Sequence, residues 1–288
     1  MSTPSTASAI RALDAEFRRA GTVRRAEGTK AYLKSDLEFH GVTSPDLYRI
    51  VRSFDASHPG MRKAERLALV RALWTHANYE LRAAGIFLLE RHQQELRGRD
   101  MPLLEQMLRA SRTWAYVDWL CAKVVAPLVE REPGLTRVLR RWASDPDFWI
   151  RRSALLSLLP ALRRGEGDFP LFERLAVPML GESEFFIRKA IGWILREVSK
   201  RRPALTVTFV RRYAAQLSGV TWREAAKYRP RIAPPWTPSA RKPSRRRDPD
   251  PRSGRRGWNG RQGSPVLKRR ASASAPRASS ATSPPTAV

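Results

Sequence analysis

The sequence predicts an all-α protein: a helical-repeat solenoid (an α-α superhelix) with a disordered basic C-terminal tail. Three observations predict it. Upstream of residue 228, apolar residues recur at i, i+3, i+4 and i+7 with no sustained alternation, which is the period of helices rather than strands. The breaks between these stretches are short and contain Gly, Pro or Asp, as in Ser144-Asp145-Pro146-Asp147 and Gly181-Glu182-Ser183. A motif recurs about every 35 residues. That length houses two antiparallel helices, and such units stack because one helix pair cannot bury its apolar face alone.

In chain order the pattern places helices over residues 62–75, 78–96, 102–108, 114–129, 135–143, 148–163 and 185–200. The recurring motif is Arg-x-Ala followed by an apolar helix. It stands at Arg82-Ala83-Ala84, Arg152-Ser153-Ala154, Arg188-Lys189-Ala190 and Arg223-Glu224-Ala225, with spacings of 70, 36 and 35. The phase missing from the long interval falls on Asp118, an acid where the other units have arginine. Repeat helices often carry an arginine that bonds a neighbouring carbonyl or carboxylate, and Arg82 and Arg223 suit that structural role.

Charge divides the chain into residues 1–228 and 229–288. The 288 residues carry 54 Lys+Arg against 27 Asp+Glu, a net of +27. Self-repulsion of that size points to a polyanionic partner. Residues 229–288 hold 13 Arg, 2 Lys and 2 Asp, a net of +13, which leaves +14 for the first 228. The tail is rich in Pro, Ser and Ala and has too few large apolar residues to offset the entropy of ordering. It reads either as a loose nucleic-acid arm, with Trp236 and Trp258 beside arginines and available to stack on bases, or as a solubilising extension.

Composition also excludes classes. No apolar run approaches the ~20 residues that span a bilayer. The first twenty residues interleave Arg11, Asp14, Glu16 and Arg18 and do not read as a secretory signal. One cysteine, Cys121, excludes an intramolecular disulfide framework and fits a reducing cytosol. The histidines are scattered singly, so no metal site is expected. There is no phosphate-binding glycine loop and no nucleophile elbow.

Two helices depart from a plain solenoid. After Phe186, Ile187, Ala190, Ile191, Ile194 and Leu195 form one apolar stripe. Trp193 falls about 130° from its centre, on the side of Lys189 and Arg196. It is either a contact surface or packing against the next repeat. In the helix from Trp114, Val117, Leu120, Cys121, Val124 and Val125 form the stripe, and Trp114 and Asp118 sit at its edge as i, i+4 neighbours. Asp118 is therefore expected to be partly desolvated. It is either a reactive carboxylate or the partner of a repeat arginine such as Arg152, which would keep it ionised. Cys121 lies in the stripe and reads as core.

These segments resemble the DNA alkylation repair glycosylases, the AlkD-like HEAT-repeat family. The matching pieces are Tyr32-Leu-Lys34, Phe39-His-Gly41-Val, Leu73-Trp74, Tyr79-Glu80-Leu-Arg82, Thr113-Trp114-Ala-Tyr-Val-Asp118, Phe148-Trp149-Ile-Arg151-Arg152-Ser-Ala154, Glu184-Phe-Phe186-Ile-Arg188-Lys-Ala190-Ile-Gly192-Trp193 and Arg223-Glu-Ala225-x-Lys227. The resemblance covers roughly residues 10–228 and leaves the tail outside. It implies a HEAT-like fold and a monofunctional glycosylase that removes cationic alkylpurines from duplex DNA without a cofactor. By the same resemblance Asp118 is the catalytic carboxylate, and Trp114, Trp193 and Tyr32 border the lesion. Arg152 contacts a backbone phosphate, with Lys189 and Arg188 assigned to the same task. The expected partner is double-stranded DNA containing alkylated bases, bound by a monomer in the cytoplasm at the nucleoid. Two other readings remain open: a non-catalytic HEAT-repeat protein that recognises damaged or structured DNA, and a protein-interaction scaffold whose charge serves solubility.

Overall fold

The structure, a computed structural model, describes residues 5–227. The tail and the expectations placed on it lie outside these residues. Among the described residues the chain is helical, with one isolated bridge pairing Glu38 with Asn78. The N-terminal part, which the periodicity left unassigned, forms α1 (Thr6–Ala20), α2 (Val23–Leu33) and α3 (Ser44–Ala56). Helices α4 (Lys63–Thr75), α6 (Met101–Arg109), α9 (Thr136–Ala143), α12 (Phe169–Ala176) and α14 (Pro203–Arg212) make a first row. They alternate with a second row made of α5 (Tyr79–Arg91), α7 (Trp114–Leu120) with α8 (Ala126–Arg131), α10 (Phe148–Leu156) with α11 (Leu159–Arg164), α13 (Phe185–Ser199) and α15 (Gly219–Ala226). In that second row α5 packs on α7, α7 on α10, α10 on α13 and α13 on α15. This is the stacking the repeat predicts.

Two predicted helices are interrupted, each for a local reason. The stretch 114–129 is continuous in direction but widens to a π-helical turn over Cys121–Val125, where the Ala126 amide donates to the Cys121 carbonyl. Pro127, at the start of α8, lacks an amide and its ring crowds the preceding turn. The stretch 148–163 breaks after Leu156. There Ser157 Oγ donates back to the Ser153 carbonyl at 2.7 Å, and Pro160 stands in the first turn of α11.

The core runs between the rows, and Trp142, Tyr116, Phe17, Phe172 and Phe209 are its largest fully buried side chains. Arginines tie successive units: Arg66 to Glu95, Arg91 to Asp55, Arg151 to Glu182 and Arg163 to Glu197. Part of the positive charge of the folded part is thus held by carboxylates about one repeat away in sequence. Gly192 lets α13 and α15 approach closely. A Cβ there would stand 2.5 Å from the Thr221 carbonyl oxygen and 2.7 Å from Glu224 Cβ. No helix among the described residues is long and apolar enough to cross a membrane.

Candidate functional site

The second-row helices start on Asn78, Thr113, Asp147, Glu184 and Ser218, whose side chains each accept a hydrogen bond from an amide of the first turn. These caps fix the register, and they correct the one read from the Arg-x-Ala spacing. Arg82, Arg151 and Arg188 stand four residues after their caps. Each donates to the carbonyl six residues upstream: His76, Asp145 and Glu182. That is one structural role repeated three times, pinning the loop that enters the helix. The next position holds Ala83, Asp118, Arg152, Lys189 and Arg223. The motif spacing had merged two adjacent positions. Corrected, it still leaves one acid, beside an alanine and three cations, and it places Asp118, Arg152 and Lys189 in register on three consecutive packed helices.

Asp118 is 6% exposed and Arg152 is 3% exposed. Arg152 Nε donates to Asp118 Oδ1 at 2.9 Å and Nη2 to Oδ2 at 3.0 Å. Its Nη1 donates to the Phe186 carbonyl at 2.6 Å. The pairing of the acid with the next unit's arginine is therefore present, in bidentate form. Arg152 is correspondingly not displayed toward solvent. In this arrangement its hydrogen bonds go to Asp118 and the Phe186 carbonyl.

Burial pushes the Asp118 carboxyl above the ordinary carboxylate range, and the charges of Arg152 and Lys189 pull it back down. Burial also holds Lys189 below the usual lysine value. The Lys189 ammonium lies 5.6 Å from the centre of the Phe185 ring. Cys121, three residues after Asp118, is fully buried and its thiol is pushed up to about 12 by burial, so it is core and not a nucleophile.

The sequence profile of the family described as "DNA alkylation repair enzyme" matches residues 13–228. The chain belongs to that DNA alkylation repair family. Among solved structures it is similar to a predicted DNA alkylation repair enzyme from Enterococcus faecalis, at 22% identity and a TM-score of 0.66, over 73% of this chain and 97% of that one. It is also similar to AlkD2 from Streptococcus mutans, at 12% identity and a TM-score of 0.57, over 78% of this chain and 99% of that one. Identities this low establish the shared helical-repeat fold. No curated protein sequence matches the chain significantly.

The other residues that the family resemblance points to fall in three places in this repair-family member. Tyr32, 52% exposed near the end of α2, meets the half-buried Trp114 ring edge-on at 5.8 Å. Trp193 sits one turn beyond Lys189 on α13, half-buried, with the Arg163 guanidinium 5.9 Å from its ring centre. Arg188 has its Nε on the Glu182 carbonyl, and its Nη groups bond no other described residue. Sequence reasoning passed over an aromatic wall beside the ion pair. Phe186 lies 5.7 Å from the Arg152 guanidinium and packs against Phe148, Trp149 and Phe185. Phe185 is 46% exposed. A signal for the wall was present, because aromatics recur at the first one or two positions after the caps of α5, α7, α10 and α13.

Proposed function

We propose that the chain is a monofunctional DNA glycosylase that hydrolyses the N-glycosidic bond of cationic alkylated purines, N7-methylguanine and N3-methyladenine, in duplex DNA, the first step of base excision repair. The observation that carries this reading is a buried carboxylate, Asp118, set beside Arg152 and an aromatic wall in a DNA alkylation repair family member. Alkylation at N3 or N7 gives the base a positive charge. The C1′–N bond then breaks with its electron pair passing to the base, which leaves neutral, and the sugar becomes an oxocarbenium-like cation. Asp118 stabilises that cation and accepts the proton of the water that adds to C1′. At ~4 Å and an effective dielectric of ~20 one such charge pair is worth about 4 kcal/mol, on the order of 10³ in rate. The faces of Trp114 and Trp193, with Tyr32 beside Trp114, favour a cationic base over a neutral one, a source of selectivity. Lys189 and Arg188 contact backbone phosphates. Arg152 joins them by exchanging Asp118 for a phosphate, an exchange that uncovers the carboxylate where it is needed. The chemistry calls for no metal or organic cofactor.

One observation favours a second reading. Both Asp118 oxygens are bonded to Arg152, which is the geometry of a structural ion pair in a non-catalytic DNA-binding solenoid. Incubation with methylated duplex separates the two. The glycosylase releases free methylpurine and Asp118→Asn does not; a binding protein holds the duplex and releases nothing.

A further inference from the structure

Two residues besides glycine have positive φ among the described residues: Lys34 at 50° and Arg112 at 48°. Left-handed backbone is the province of Gly and Asn, because other residues crowd Cβ against the next carbonyl. Here both positions carry long cations, and both stand two residues from the ring pair Tyr32–Trp114. Lys34 caps the C-terminus of α2, with its amide on the Lys30 carbonyl. Arg112 immediately precedes Thr113, the N-cap of α7. Both side chains are exposed, and neither forms a hydrogen bond or ion pair with a described residue. The residues beside them are hydrogen-bonded. The Ser111 hydroxyl donates to the Met107 carbonyl at 2.8 Å, the Ala110 carbonyl accepts from Arg82, and the Ser35 hydroxyl accepts from the Leu37 amide. The cation at 112 is also particular to this repeat. The residues preceding the caps of the other second-row helices are Ala77, Pro146, Ser183 and Leu217.

We infer that Lys34 and Arg112 form a phosphodiester clamp that grips the DNA backbone on either side of the Tyr32–Trp114 pair. The inference rests on the DNA-binding part of the proposed function and adds two contact residues to it. A rigid loop that presents an uncompensated cation binds a phosphate with little ordering cost. The left-handed backbone also supplies a test that separates binding from structure, since glycine suits both positions better than the native residue does.

The experiment uses the full chain, an unmodified short duplex and fluorescence anisotropy over a range of salt. Lys34→Gly and Arg112→Gly are compared with Lys34→Arg, Arg112→Lys and a control, Arg137→Gln, which removes one exposed charge from α9. Each glycine variant is expected to unfold at the wild-type temperature or a few degrees above it. Each is also expected to bind roughly 5–10-fold more weakly near 0.1 M salt, with a salt slope shallower by about one. The charge-preserving variants keep most of the affinity. Glycine variants whose affinity and slope match wild type, or fall no further than Arg137→Gln, overturn the clamp. If wild type itself fails to bind duplex, the proposed function falls with it. If wild type binds and releases methylpurine while the glycine variants match it, only the clamp falls.

Discussion

Replacing Arg152 with methionine keeps most of the side-chain volume and removes the cation from a pair in which Arg152 is 3% and Asp118 is 6% exposed. Three donated hydrogen bonds disappear, two to the carboxylate and one to the Phe186 carbonyl. Removing one partner of a buried pair costs about 3–5 kcal/mol, because the remaining charge is left uncompensated in a poorly polarisable site. The cost has a distinctive pH dependence. Burial already raises the Asp118 pKa, and Arg152 is the main opposing influence. Without it the folded-state value climbs further above the unfolded one. The folded variant then holds the proton more tightly than the unfolded chain. Its stability is greatest below the unfolded-state pKa and declines as pH rises through the folded-state value. Urea unfolding at pH 7.5 and pH 5 measures this. The deficit of Arg152→Met relative to wild type should be about 3–5 kcal/mol at the higher pH and narrower at the lower, by up to about 1.4 kcal/mol for each unit of additional pKa shift. The double variant Asp118→Asn/Arg152→Met should recover much of the loss at pH 7.5. A deficit below about 1 kcal/mol, or one equal at both pH values, would refute the reasoning by showing that Asp118 carries no desolvated charge.

Single-turnover base release should rise with pH as Asp118 ionises, with a midpoint above the ordinary carboxylate range, and should fall again below the ordinary lysine range as Lys189 loses its proton. Lys189→Gln should move the acid limb higher, since the ammonium favours the carboxylate, and an acid limb unchanged in that variant would contradict the coupling. Glu80, 2% exposed, accepts the backbone amides of His40, Gly41 and Val42, and so anchors the loop that follows α2. Glu80→Gln, which faces those donors with an NH₂ group, should cost about 1–3 kcal/mol. It should also speed amide exchange at residues 40–42, and unchanged exchange there would show that the carboxylate does not hold the loop. Gly192→Ala should lower stability by about 1–3 kcal/mol, because its Cβ would stand 2.5 Å from a backbone carbonyl of α15. A neutral effect in thermal unfolding would mean that α15 shifts freely on α13.

Four of the second-row helices were legible because their apolar stripes are long, whereas α15, capped by Ser218, was marked only by its Arg223-Glu224-Ala225 motif. The breaks at Cys121–Val125 and after Leu156 were not. Proline and serine act there through geometry within an apolar run, and the run itself carries no mark of the break. The repeat was visible but misread by one position. Arg151 and Arg152 are adjacent, and spacing alone could not tell which of them bonds a carbonyl and which bonds Asp118. Counting from the caps resolves it, since Arg82, Arg151 and Arg188 share one offset and Asp118, Arg152 and Lys189 share the next. Asp118 stood out as the acid of the row, and its desolvation followed from its place at the stripe's edge. The depth of its burial did not, because the Phe148–Trp149–Phe186 cluster that helps to cover the pair comes from two other helices. The left-handed backbone of Lys34 and Arg112 was not legible, because at a lysine or arginine it leaves no trace in composition or periodicity.

In the proposed reaction Asp118 drives departure of a cationic base. Release of N7-methylguanine and N3-methyladenine from methylated duplex, followed under single-turnover conditions for wild type and Asp118→Asn at matched DNA occupancy, tests it most directly. Wild type should release free methylpurine, and the variant should be slower by about 10³. Equal rates, or no release by wild type on duplex it demonstrably binds, would contradict it.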